Sequence, residues 1–121
     1  MLSNPNIDIN MITSIYSDDS ESKETALSLA IKTKNKQIVD HLLLNPNIDV
    51  NLLISEKIYG IEYSETPLLL AIRKKDFEIV SSLLSHKNVN VNIKGTETIK
   101  NKINTEMSAL IYAIRFNYID I

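Results

Sequence analysis

Apolar residues between Thr66 and Leu84, in TPLLLAIRKKDFEIVSSLL, fall into two short helical stripes. Leu68, Ala71 and Ile72 recur on one side of a first helix, and Ile79, Val80, Leu83 and Leu84 form the i, i+1, i+4, i+5 stripe of a second. Thr66 is a good N-cap, and Pro67 occupies the first helical position, where a missing N–H costs nothing. Arg73-Lys74-Lys75-Asp76 interrupts the apolar pattern and predicts a tight turn. Neither helix can bury its apolar side alone, so the unit needs neighbours.

The neighbours are in the chain. Thr25 to Leu43 reads TALSLAIKTKNKQIVDHLL and aligns without a gap at an offset of 41 (66 − 25). Thr25, Leu27, Ala30-Ile31, Ile38-Val39 and Leu42-Leu43 fall on Thr66, Leu68, Ala71-Ile72, Ile79-Val80 and Leu83-Leu84. The pattern returns at an offset of 42 (108 − 66) as SALIYAIRFNYIDI. Closing loops repeat too, as NPNIDIN at 4–10, NPNIDVN at 45–51 and KNVNVN at 87–92. Self-similarity at a fixed period is the signature of stacked supersecondary units.

At these residues the chain resembles the ankyrin repeat family, whose units start Thr-Pro-Leu-His and carry an Ala pair, a Gly turn, Ile-Val, Leu-Leu and a closing Val-Asn. Thr66-Pro67-Leu68, Ala71, Ile79-Val80, Leu83-Leu84 and Val91-Asn92 fit, as do Thr25, Leu27, Ala30, Ile38-Val39, Leu42-Leu43 and Val50-Asn51. Ser28, Leu69 and Ile111 replace the family's His. Lys34, Lys75 and Asn117 replace its turn Gly, and Lys suits a left-handed backbone less well than Gly or Asn. The period exceeds the family's usual value of about 33 residues, which predicts unusually long loops. The resemblance implies an all-α repeat solenoid of stacked helix-turn-helix units, with hairpin or finger loops between repeats. It spans residues 1–121 as a single array: 1–10 the tail of a truncated repeat, 11–51 and 52–92 full repeats, 93–121 a second truncated one.

The connectors carry their own pattern. Residues 11–24 start apolar at Met11, Ile12 and Ile15, suggesting a strand-like arm whose acidic, turn-rich tip is Ser17 to Ser22. Residues 52–65 hold Leu52, Ile54, Ile58, Ile61 and Tyr63 around Gly60, which predicts a hairpin reversing between Glu56 and Gly60. Residues 93–107 hold Gly95 and a more basic set, Lys94, Lys100 and Lys102. Both glycines of the chain lie in these connectors. Helices are expected at about 25–34 and 36–44, with Pro46 breaking the chain after the second.

Chemistry is mostly absent. The chain has no cysteine, which removes disulfides, thiolate nucleophiles and the commonest zinc sites, and suits a reducing, intracellular and cytoplasmic setting. A net charge of −2 implies no bulk affinity for nucleic acid or anionic membrane. The longest apolar run, Pro67 to Ile72, is far short of the roughly 20 residues that span a bilayer. His41 and His86 lie in different units and read as solvated surface. Asp18, Asp19 and Glu21 lack the alternating spacing and distal Glu of a calcium loop. No Gly-rich phosphate loop or nucleophile elbow is present. No cofactor, metal or catalytic residue is expected, and the chain does not read as an enzyme.

The surface remains. Positions after each Ala-Ile pair, Lys32-Thr33, Arg73-Lys74 and Arg115-Phe116, point to the face that the resemblance implies is the binding surface. Stacking puts Lys32, Arg73 and Arg115 in a cationic ladder, beside Glu24, Glu65 and Met107, with Tyr59 and Tyr63 from the finger. Arg and Tyr dominate interface energetics. The expected partner-binding set is Lys32, Thr33, Tyr59, Tyr63, Glu65, Arg73, Lys74, Arg115 and Phe116, recognising an acidic or mixed segment of a protein. Alternatively, Glu24–Lys32 and Glu65–Arg73 neutralise each other. The function expected is a non-catalytic protein–protein interaction module, a fragment of a longer protein. The alternatives are a structural or regulatory segment beside a catalytic domain elsewhere, and single-strand nucleic-acid binding on Tyr59 and Tyr63, which the net charge disfavours. Self-association through apolar ends near Leu2 and Ile119 is also expected.

Overall fold

Each unit of the chain opens with a β-hairpin and continues into helices. The computed structural model describes residues 8–99 and 103–116. Strands β1 (Thr13–Tyr16) and β2 (Ser20–Glu24) lead into α1 (Ala26–Lys32) and α2 (Lys36–Leu43). β3 (Ile54–Ile58) and β4 (Ile61–Glu65) lead into α3 (Pro67–Arg73) and α4 (Phe77–Leu84), and β5 (Gly95–Ile99) and β6 (Ile103–Met107) into α5 (Ala109–Arg115). Asn117, most of the 1–10 tail, Lys100, Lys102 and the ends near Leu2 and Ile119 lie outside the described residues.

Local chemistry sets the helix limits. Thr25, Thr66 and Ser108 each accept the backbone N–H three residues on, and Thr25 closes a capping box with Ser28. α1 and α3 end in left-handed residues, Lys34 at φ 57° and Lys75 at φ 59°. The Lys34 N–H donates to Ile31 O and the Asn35 N–H to Ala30 O; Lys75 and Asp76 repeat this on Ile72 and Ala71. This is the Schellman termination, here without its usual glycine. Asn35 and Asp76 at once cap the next helix through their side chains.

α1 packs on α3 and α3 on α5, while α2 packs on α4. Leu27, Ile31, Val39, Leu42, Leu69, Leu70, Ile72, Ile79 and Leu83 form the buried centre. At the far end of the units, asparagines bridge successive loops. Asn10 Nδ2 donates to Asn47 O at 2.8 Å while its Oδ1 accepts the Asp49 N–H at 2.8 Å. Asn51 repeats both bonds one unit later, to Asn88 O at 2.9 Å and from the Asn90 N–H at 2.8 Å.

The hairpins overturn the expected fold class. They are not separate fingers on an all-α solenoid: neighbouring hairpins pair edge to edge, β2 with β3 and β4 with β5, into one six-stranded antiparallel sheet in the order β1 to β6. The architecture is therefore mixed helix and sheet. The physical reason is a match of spacings. Two paired strands occupy about 9.6 Å across the sheet, twice the strand separation, and packed helices sit about 8–10 Å apart. One hairpin per helical unit therefore brings each hairpin within hydrogen-bonding reach of the next, and pairing relieves the unmet backbone groups of an isolated two-stranded ribbon. The second hairpin reverses at Tyr59-Gly60, both at positive φ, the geometry of a two-residue primed turn. The first reverses at 17–19, so Ser20 to Ser22 belong to a strand and not to the tip.

Candidate functional site

Strand side chains alternate between two faces, and one face of the sheet runs along the first helices of the units. Register defines two rows on it. One crosses Ile15, Ser22, Glu56, Tyr63, Glu97 and Thr105, each opposite the next. The other contains Glu24, Ile54, Glu65, Gly95 and Met107. Glu24, Glu56, Glu65 and Glu97 are all buried. Carboxylates in such a place require cations, and the last turns of α1, α3 and α5 supply them as Lys32, Arg73 and Arg115. Side chains on a helix lean toward its N-terminus, so each cation folds back along its own helix toward the sheet.

The central cation is Arg73. Its Nε donates to Glu65 Oε2 at 2.7 Å, and Nη2 donates to Glu65 Oε1 at 2.9 Å and to Glu56 Oε1 at 2.5 Å. Tyr112 Oη donates to the same Glu65 Oε2 at 2.7 Å, tying α5 to the preceding unit. Lys32 Nζ donates to Glu24 and, at 2.6 Å, to Glu56 Oε2 on the following hairpin. Ser28 Oγ donates to Glu24 Oε1 at 2.6 Å. Among the described residues no buried side-chain nitrogen or oxygen lacks a hydrogen-bond partner. Tyr63 lies over the Arg73 guanidinium at 4.2 Å, and Phe116 packs edge-on to Tyr63 and tilted against Tyr112.

Charge states follow from these contacts. Burial pushes the Glu56 carboxyl up, but hydrogen bonds from Lys32 and Arg73 and their charges outweigh it, leaving it below the usual carboxylate value. Burial opposes the charge on Arg73, yet Glu65 and then Glu56 raise its affinity for the proton. Burial and then the Glu65 charge hold the Tyr112 hydroxyl in its protonated, donating form. Lys74 differs: burial, then repulsion from Arg73, lowers its proton affinity. No carboxylate lies within ion-pair distance of its ammonium among the described residues.

The residues expected at the partner surface are thus distributed unequally. Lys32, Glu65 and Arg73 are joined in the internal network, and both Glu24–Lys32 and Glu65–Arg73 pairs form. Tyr63, Lys74 and Phe116 are half-buried beside it. Among the described residues Arg115 bonds only Glu97, through Nη2 at 2.8 Å, and its side chain is 53% exposed. Thr33 is exposed at the end of α1, its hydroxyl donating to Leu29 O at 3.0 Å. Tyr59 is 79% exposed at the hairpin tip, away from the network, where its N–H reaches Asp19 O at 3.4 Å.

Sequence reasoning missed Glu56, Glu97 and Tyr112. The signal for the first two was an offset of 41 between glutamates on matching strands (97 − 56); Tyr112 replaces Leu70 and announced nothing by pattern. Gly95, which lies in the third connector, serves close approach: a Cβ there would lie 2.8 Å from Leu69 Cδ1 and 3.0 Å from Ser64 O. His86 is more than solvated surface, since its Nδ1 accepts the Asn88 N–H at 3.1 Å, the position Asn45 fills for Asn47 one unit earlier. His41 is exposed on α2. Among the described residues no group of three acidic, His or Cys side chains is placed to hold a metal ion, and no helix is long and apolar enough to cross a membrane.

Residues 63–96 match the ankyrin repeat family model. The match opens at Tyr63 in β4, covers α3 and α4, and closes in β5, so the central stretch is similar to an ankyrin repeat, in line with the resemblance carried by Thr66-Pro67-Leu68. Neither a curated protein nor a solved structure matches the chain.

Proposed function

We propose that the chain is a non-catalytic protein-binding module, with units at 11–51, 52–92 and 93–121, that takes an acidic or mixed segment of a partner along the seam between first helices and sheet. Ankyrin repeats in general serve protein–protein interaction. The observation that carries the specific reading is Lys74. A half-buried ammonium whose proton affinity is lowered by burial and by Arg73 gains from any carboxylate brought to it. Tyr63, stacked on the neighbouring Arg73, and Phe116, packed on Tyr63, offer aromatic contacts, Thr33 occupies the matching position one unit earlier, and Arg115 extends the cationic edge. Lys32, Glu65 and Arg73 act here as the frame that holds these groups, with Tyr59 contributing from the tip.

The test must avoid the frame. Arg73→Glu would put a third carboxylate against Glu56 and Glu65 and unfold the seam. Lys74→Glu leaves every ion pair in place. Fluorescence titration of wild type and Lys74→Glu with a labelled glutamate-rich dodecapeptide containing one tyrosine reads the difference. The expected result is saturable binding by wild type and at least ten-fold weaker binding by the variant, with unchanged circular dichroism. Equal affinities reject the reading.

A further inference from the structure

Lys34 and Lys75 each follow a first helix, and each sits in the left-handed region, at φ 57° and φ 59°. That conformation crowds the Cβ of an L-residue and suits glycine. Neither turn uses one: the chain has two glycines, both in connectors. The two lysines stand at matching places of successive units (75 − 34 = 41). A strained residue that recurs in this way raises the question of what its side chain does. The backbone gives no answer, because the Lys34 and Lys75 N–H groups donate to Ile31 O and Ile72 O at 3.0 Å, bonds that a glycine would make as well.

The two side chains share a cavity. Lys34, Lys36, Lys75, Asp76, Phe77 and Glu78 line a groove of about 370 Å³ between the helix–helix turns of the first two units. That volume lies within the roughly 300–1,000 Å³ of small-ligand sites. Both bordering units are described from hairpin to second helix, so a further unit stacked at either end of the array would lie elsewhere. The charges of the lining are unevenly matched. Lys36 Nζ is held by Asp40 Oδ2 at 2.5 Å, and Glu78 attracts it through charge. Asp76 turns Oδ1 to its own helix, where it accepts the Ile79 N–H at 3.2 Å. Among the described residues no carboxylate lies within ion-pair distance of Lys34 or Lys75.

We propose that this groove binds a polyphosphate group, held by the unpaired ammonium groups of Lys34 and Lys75 with Lys36 as a third cation. A single carboxylate would meet one ammonium and leave the other unmet, whereas linked phosphates carry several charges within the length of the groove. The lining holds lysines and no arginine. Lysine serves phosphate as a flexible point charge, while a planar carboxylate is matched best by the fork of Arg. The phosphates can be free or carried by a nucleoside, and Phe77, 46% exposed in the same lining, offers its ring to the second kind. The site does not depend on the protein-binding seam, since Lys74 is not part of the lining.

Isothermal titration calorimetry with sodium tripolyphosphate, and separately with adenosine triphosphate, tests it. Saturable one-to-one binding is expected, weaker at higher salt. Lys34→Gly and Lys75→Gly should each weaken it by about ten-fold. Both changes relieve a left-handed backbone, so the loss would not come from unfolding. Glu78→Gln should tighten binding, and Lys23→Gln, which removes a lysine from the sheet, should leave it unchanged. Tighter binding of the nucleotide assigns the phosphates to a nucleoside-borne ligand, and equal or weaker binding assigns them to free polyphosphate. Three results would overturn the proposal: no saturable binding of either anion, equal losses in Lys23→Gln and Lys75→Gly, or wild-type affinity in the Lys34→Gly/Lys75→Gly double variant.

Discussion

Along the helices, neighbouring units meet through Leu69, Ile72, Val39 and Leu83; along the sheet they meet through Lys32–Glu56 and Tyr112–Glu65. The first kind of contact is non-directional and scales with apolar area. A slip of one helix against another exchanges one aliphatic neighbour for a similar one. The second kind tolerates no slip. Lys32 Nζ at 2.6 Å from Glu56, and Tyr112 Oη at 2.7 Å from a Glu65 already held by two bonds from Arg73, fit a single arrangement. A one-residue shift of a strand would also turn Glu56 or Glu97 to the opposite face. Apolar packing therefore supplies most of the drive to stack, and the charged rows select the register.

Changes on either side sharpen that contrast. Glu65→Ala has the largest expected effect: it leaves the buried Tyr112 hydroxyl without its acceptor and Arg73 with Glu56 alone, and should cost about 3–5 kcal/mol, read from urea denaturation by circular dichroism. Replacing Glu65 and Arg73 together by Leu and Met should recover most of this loss, because two buried charges leave together. If the double variant is as unstable as the single, the charges are not the source of the cost. Leu83→Ala, on the helix side, should cost about 2–4 kcal/mol as a cavity, with no rescue by a polar partner.

Acid provides a graded way to open the charged rows alone. The Glu56 carboxyl is depressed in the folded state, so its contribution is complete above the ordinary value of 4.5 and is lost as pH falls through the lower folded value. Stability should therefore fall below pH 4.5 in wild type and fall less steeply in Glu56→Gln. Parallel pH profiles for the two proteins would contradict this.

The loop ladder is weaker. Asn51→Ala removes two exposed inter-unit hydrogen bonds and should lower stability by about 1–2 kcal/mol. The smallest change is in the favourable direction. Lys75→Gly relieves a left-handed backbone at φ 59° and should add about 0.5–1 kcal/mol, raising the denaturation midpoint. A lowered midpoint would mean that the Lys75 side chain stabilises the turn more than its backbone strains it.

The helices were legible because their signals are side-chain signals: the aliphatic stripes of α3 and α4, the caps Thr25 and Thr66, the proline after Thr66. The hairpin at 52–65 was legible for the same reason, in Ile54, Ile58, Ile61 and Gly60. The joining of hairpins into one sheet was not, because β2·β3 and β4·β5 pair through backbone groups that every residue carries. It followed from comparing two spacings, not from any one residue. Of the candidate site, the cations Lys32, Arg73 and Arg115 were legible from their offset. Their internal partners Glu56 and Glu97 were not, since an alternating strand and a solvated charged strand look alike until the face that the helices cover is known. At the position of the family's His, Ser28 bonds Glu24 locally, while Asn10 and Asn51 carry hydrogen bonds between units.

Strands that stack hairpin beside hairpin set their hydrogen bonds along the direction in which the units accumulate. Tension applied between the two ends of the array would therefore load those bonds head-on, one ladder at a time, instead of shearing a whole ladder together. The sheet would peel like a zipper from whichever end is pulled, and the doubly bonded Arg73 would be the tooth at which the peeling stalls.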